Sequence, residues 1–186
     1  GRAQIIVQIT EDNKSADISN NTFAWNEANS ASAFYLQLSN SGSDSNITVE
    51  SNTITNNLTT ALSNNYQTSM FLGGDGILFK NNNILDNNGV IRLGGGVNSP
   101  DFDATNNWWG TTDTTELDAL LYDWNDAATL GVINYSPVLT APSITAPPSP
   151  PSGVAAQTGP TSIAFSWTAN PEADITGYKL YYDTDA

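Results

Sequence analysis

Four stretches of this chain, residues 16–26, 47–57, 77–87 and 102–112, align without a gap, and their starts lie 31, 30 and 25 residues apart. Apolar residues hold the first, third and eighth places: Ala16, Ile18 and Phe23; Ile47, Val49 and Ile54; Ile77, Phe79 and Ile84; Phe102, Ala104 and Trp109. The sixth place is always asparagine (Asn21, Asn52, Asn82, Asn107), and the eleventh is asparagine in the first three stretches (Asn26, Asn57, Asn87). A second row keeps the same order at residues 7–10, 36–39, 70–73 and 91–94, with Val7 and Ile9, Leu36 and Leu38, Met70 and Leu72, Ile91 and Leu93 as its apolar pairs. Alternation of this kind marks a strand with one face buried. A unit of about 30 residues with two short strands buries its apolar face only by stacking on the next copy. The expectation is therefore a solenoid of coils about 4.8 Å apart, each strand pairing in parallel with its counterpart. Corner asparagines suit such coils, because they tolerate left-handed backbone and can bond to one another along the stack.

Composition narrows the chemistry. The 186 residues carry 19 Asp and Glu against 5 Lys and Arg, a formal net charge of −14, so no basic stripe exists for nucleic-acid phosphates or an anionic membrane surface. There is no cysteine and no histidine, which removes disulfides, zinc fingers, thiol nucleophiles and the commonest general base. No long apolar run suggests membrane insertion. Residues 5–10 already read as a strand and nothing before them looks like a signal peptide, so the chain reads as a piece of something longer.

The blocks at 47–57 (Ile-Thr-Val-Glu-Ser-Asn-Thr-Ile-Thr-Asn-Asn) and 77–87 (Ile-Leu-Phe-Lys-Asn-Asn-Asn-Ile-Leu-Asp-Asn) resemble the repeat of right-handed parallel β-helix proteins of the pectin-lyase-like group. The likeness covers roughly residues 4–110 and speaks to fold, since that scaffold carries lyases, hydrolases, epimerases, adhesins and phage fibres alike. Asn106-Asn107-Trp108-Trp109-Gly110, a helix over 111–124 and a closing Tyr135-Ser136-Pro137 resemble the C-terminal end of that family. The expected cap consists of Trp108, Trp109, Leu117, Leu120, Leu121 and Trp124, with Asp113 or Thr115 starting the helix. Residues 132–137 read as a last strand.

Residues 137–152 are proline-rich and read as an extended, semi-rigid linker. Beyond them Ile163, Phe165 and Trp167 alternate, as do Tyr178, Leu180 and Tyr182. Together with Asp174-Ile175-Thr176-Gly177-Tyr178 these features resemble the first strands of a bacterial fibronectin type III domain, whose later strands and tyrosine corner are missing from 153–186. The fold class expected is all-β: β-helix coils and helical cap over 1–136, linker over 137–152, and part of a β-sandwich over 153–186.

Candidate chemistry is sparse. Asp44, Asp75 and Asp101 each precede the first strand of a coil and are the candidate ligands for calcium, a hard cation. Their offsets before that strand differ, which favours solvated turn aspartates. Asp123, Asn125 and Asp126 make a second oxygen-rich loop, better read as a helix-end turn. Glu50 and Lys80 fall as vertical neighbours, an ordinary surface ion pair. Arg92 falls on the other row beside Phe71 and Gln37. Asn20, Asn46 and Asn57 begin glycosylation-type triplets, and the outward column Thr22, Thr53, Asn83, Trp108 is too broken for an ice-binding face. No acid and base converge, so no catalytic residue is assigned and no cofactor is required. The reading is a non-catalytic stalk or adhesive module, extracellular or at a bacterial or archaeal cell surface. Its partners would be glycans or other surface proteins, without nucleic acid. The terminal coils of a polysaccharide lyase or glycoside hydrolase, with the active face upstream, are the alternative. A self-associating filament subunit is another.

Overall fold

The computed structural model describes residues 5–29, 33–38, 44–60, 68–73, 75–94 and 100–181. Ser39 and Tyr182, named above as strand residues, lie outside them. The first coil carries β1 (Ile5–Ile9), β2 (Ser15–Ser19), β3 (Thr22–Ala24) and β4 (Glu27–Ala28). The second carries β5 (Phe34–Leu38), β6 (Asn46–Glu50), β7 (Thr53–Thr55) and β8 (Leu58–Thr59), and the third β9 (Thr68–Gly73), β10 (Ile77–Lys80) and β11 (Asn83–Leu85). The fourth has β12 (Val90–Leu93), β13 (Phe102–Asp103) and Trp108, which bridges Asn83 in parallel. A partial fifth coil follows, with α1 (Thr114–Leu120), β14 (Leu121–Tyr122) and β15 (Ile133–Asn134).

Like strands stack on like. The rows are β1-β5-β9-β12-β14, β2-β6-β10, β3-β7-β11, β4-β8 and β13-β15, and every pair in them is parallel. The chain is a parallel β-solenoid with one short helix among the described residues. No helix there is long and apolar enough to cross a membrane.

Inward residues form a continuous core in which Phe34, Leu36, Ile47, Val49, Ile54, Met70 and Leu72 are fully buried. Rings meet across the coils, Phe23 with Phe34 at 4.6 Å and Phe79 with Phe102 at 6.1 Å. Register in the five-stranded row departs from the sequence alignment. Val7 pairs with Leu36, but Leu36 pairs with Leu72 and Phe34 with Met70, two residues from the alignment of Leu36 with Met70. A two-residue slip keeps the same side chains inside, so alternation alone cannot distinguish the registers.

The corners divide two tasks between adjacent residues. Left-handed backbone falls on Asn20, Ser51, Asn81 and Asn106, with φ of 59°, 56°, 57° and 59°, one residue before the repeating asparagine expected to adopt it. The repeating asparagine then turns its amide along the stack. Asn52 Oδ1 accepts from Asn21 N (2.9 Å) and Nδ2 (3.2 Å), and Asn107 Oδ1 accepts from Asn82 N (2.9 Å) and Nδ2 (3.0 Å). A second ladder joins Asn26 to Asn57 and Asn57 to Asn87 through Nδ2 bonds of 2.8 Å each.

The cap differs from expectation in one respect. Asp113 begins the helix by accepting from Thr115 N (2.8 Å) and Glu116 N (3.3 Å), but the helix stops at Leu120 instead of reaching Trp124. Leu121 and Tyr122 leave it to pair with Ile91 and Arg92. An open sheet edge beside them offers backbone partners that a further helical turn would forgo. Trp109, Leu117 and Leu121 are buried, Trp108 and Leu120 are half-buried, and Trp124 is 54% exposed and so outside the cap's buried core.

After β15 the chain turns back along the coils. Pro137 O accepts from Asn106 N (2.7 Å) and Leu139 N donates to Asn107 O (3.0 Å) on the fourth coil. Ser143 N donates to Asn83 Oδ1 (2.6 Å) and Asn83 Nδ2 donates to Ser143 O (3.2 Å) on the third. Thr145 Oγ1 lies 2.8 Å from Ser51 Oγ, and Thr53 Oγ1 donates to Pro147 O, on the second. Thr53 and Asn83 are consequently buried although their strand positions point away from the core, whereas Thr22 stays exposed.

β16 (Ser152–Thr158) and β17 (Ile163–Thr168) then form an antiparallel pair whose every residue is exposed. Tyr178 packs edge-on against Trp167 at 5.1 Å. Residues 178–181 carry no strand, because no neighbour among the described residues offers them a ladder.

Candidate ligand-binding face

Alternation in the five-stranded row sends one set of side chains outward. In β5 Phe34, Leu36 and Leu38 are buried while Tyr35 and Gln37 are half-exposed, and in β1 Ile6 and Gln8 are exposed. Pairing places Ile6, Tyr35, Phe71, Arg92 and Tyr122 at one level of successive coils, with Gln8 and Gln37 at the next. Parallel pairing spaces these positions about 4.8 Å apart. Arg92 is therefore level with Tyr35 rather than with Gln37, a direct result of the two-residue register difference.

The outward groups organise one another. Gln8 Nε2 and Tyr35 Oη both donate to Gln37 Oε1 at 3.1 Å. The Arg92 guanidinium lies 4.2 Å from the centre of the Tyr122 ring, a separation at which the ring's negative face attracts a cation. Arg92 Nη1 is shielded from solvent and has no hydrogen-bond partner among the described residues, so this nitrogen faces the protein and not a ligand. An aromatic platform, amides and a guanidinium on a flat ladder offer an apolar ring face with donors at its rim. Sequence reading missed Tyr122, because the helix was expected to run through it. Its signal lay in the two-residue apolar-polar pattern of Leu121-Tyr122, too short to read as a strand.

The other candidates lie elsewhere. Asp44, Asp75 and Asp101 are exposed, and the described residues include no group of three acidic side chains placed to hold a metal ion. Asp101 Oδ1 accepts from Val132 N (2.8 Å), which ties the fifth coil to the fourth. Lys80 Nζ lies 3.7 Å from Glu50 Oε1, which also accepts from Asn81 Nδ2 (3.1 Å). Asp123 is buried and used locally: Oδ1 accepts from Asn125 N (2.9 Å) and Oδ2 from Ile133 N (2.9 Å). A cleft of about 650 Å³ opens beside it, lined in part by Asp118, Asp126 and Tyr135. Partial burial raises the Tyr135 pKa, and donation of its hydroxyl to Asp118 Oδ1 (3.0 Å) adds to the shift.

No protein-family model, curated protein or solved structure matches the chain. Its description as a repeat-solenoid scaffold therefore rests on its own geometry.

Proposed function

We propose that this chain is a non-catalytic adhesive module of a secreted or cell-surface microbial protein, holding glycan chains along the outward face of the five-stranded row. The observation that supports it is the Arg92–Tyr122 stack aligned with the Tyr35, Gln37 and Gln8 network. Sugars present apolar ring faces and a rim of hydroxyls, the pattern that such a strip complements. A ladder with a fixed coil spacing suits a polymer better than a single sugar, because several weak contacts add along it. The rigid solenoid supplies the pre-organisation, and no metal is part of this reading.

Glycan arrays on the full chain, followed by titration calorimetry of the ligands found, test the proposal. Tyr122→Ala and Arg92→Gln should each weaken binding at least about tenfold, as expected for loss of one stacking or charge-assisted contact, and a chelator should change nothing. An array without a single bound glycan sinks the adhesive reading. Appearance of shortened or unsaturated products in the same mixtures would replace it with a lyase or hydrolase.

A further inference from the structure

We propose that residues 137–149 are a releasable strap: docked across the coils it holds the β16–β17 module beside the second coil, and freed it lets that module swing away. Three features of the segment lead to this.

Direction comes first. The coils advance from β1 to β15, but the strap contacts the fourth coil at Asn106 and Asn107, then the third at Asn83, then the second at Ser51 and Thr53. The chain thus leaves the solenoid at the second coil, one coil from β1, and away from the capped end.

Slack comes second. Pro137 and Pro147 are ten residues apart (147 − 137) and bond to the fourth and second coils, a separation of two coil spacings or about 10 Å. A proline-rich segment of that length reaches about 31 Å when extended, at about 3.1 Å per residue. The docked strap therefore stores roughly 20 Å of reach.

The third feature is how lightly it is held. Its first residues are fixed by two backbone hydrogen bonds to the fourth coil and by Val138 packed against the core. Beyond Leu139 its hydrogen bonds to the coils go to the side chains of Ser51, Thr53 and Asn83, Ala146 is its only fully buried apolar residue, and Ile144 is 70% exposed. Asn83 is the central anchor. An amide satisfies both backbone groups of Ser143, which the threonine present at this place in the first two coils cannot do. The module itself buries no strand residue. It joins the strap through Ser149, whose N–H and hydroxyl donate to Glu172 Oε1 and whose carbonyl accepts from Asn170 Nδ2. Strap and module should consequently move together, leaving the coils intact.

The test uses the full chain, which has no cysteine of its own. Spin labels at Thr22→Cys on the first coil and Thr161→Cys in the turn between β16 and β17 report their separation by pulsed dipolar spectroscopy. The expected result is one narrow distance in the parent. The combined Asn83→Ala and Thr53→Val variant should give a broad distribution extending up to about 20 Å further, the stored reach. If those changes unfold the coils, Ser143→Pro, which alters only the strap and removes the N–H that Asn83 accepts, is measured instead. A distribution already broad in the parent overturns the proposal, and so does one that stays narrow in every folded variant.

Discussion

Asn52 donates both its backbone N–H (3.0 Å) and its side-chain Nδ2 (3.1 Å) to a single atom, Oδ1 of Asn82, one coil further on. Asn82 is completely buried and also donates to Val49 O (3.0 Å). Asn52 Nδ2 also reaches Ile18 O (2.7 Å) and Glu50 O (3.1 Å), whereas the backbone N–H of Asn52 relies on Asn82 Oδ1, and in a dry corner that makes the ladder costly to interrupt. Asn82→Ala should cost about 2–5 kcal/mol, because it strands a buried donor and weakens a buried acceptor at about 1–3 kcal/mol each. Asn21→Ala, at the exposed first coil, should cost less than about 1 kcal/mol. Urea unfolding of both variants decides it, and equal losses would disprove the ladder's role.

The core and the hairpin should respond very differently to the same truncation. Ile54 is fully buried among the coils and Ile163 is 57% exposed on β17. Ile54→Ala should destabilise by about 2–5 kcal/mol through lost burial and the cavity left behind, and Ile163→Ala by less than about 0.5 kcal/mol. The comparison is read from denaturant midpoints of the full chain.

Asp113 accepts from two otherwise unpaired N–H groups at the start of the cap helix. Asp113→Ala should lower stability by about 1 kcal/mol, and Asp113→Asn should recover most of that, since an amide oxygen caps nearly as well. No recovery in the Asn variant would mean that charge, rather than capping, carries the effect.

Tyr135 titrates above the ordinary tyrosine value of 10.0, first because it is partly buried and then because it donates to the Asp118 carboxylate. Its folded pKa is raised, so its contribution to stability is fully present below the unfolded value and disappears as pH climbs through the folded one. Asp118→Asn should bring the Tyr135 pKa down towards, but not to, the ordinary value, since burial remains. The shift is read as tyrosinate absorbance against a Tyr135→Phe reference, and an unchanged titration would remove Asp118 from the account.

Glu50 and Lys80 face one another on the outside of the stack at 3.7 Å, with side chains 33% and 40% exposed. Water and salt screen such a pair, so Lys80→Ala should change stability by less than about 1 kcal/mol, and the difference should fade in 1 M salt. A larger or salt-independent loss would point to packing by the lysine stem instead.

Much of the coil was legible because its signals are local. Alternation of Ile47 with Val49 or Ile77 with Phe79 follows from the strand's two-residue period. Spacings of 31, 30 and 25 residues between asparagines recur in the structure as the ladder bonds themselves. The candidate face was far less legible. Arg92 could be placed on the outward side of its strand, but its partner Tyr122 lay in a stretch with helical spacing, and its level on the stack depended on a register that period-two patterning leaves open.

The sequence by itself determined that the chain winds into stacked parallel coils with apolar columns inside and asparagine at the corners, since each residue's side and corner role are set within its own repeat. Only the tertiary structure decided which coil level each strand residue occupies, that Leu121 and Tyr122 leave the helix for the sheet, and that residues 137–149 cover Thr53 and Asn83. Those outcomes depend on contacts between segments far apart in the chain. Alternatives with the same local pattern, a strand slipped by two or a free proline-rich linker, differ only in which distant partner completes the hydrogen bonds.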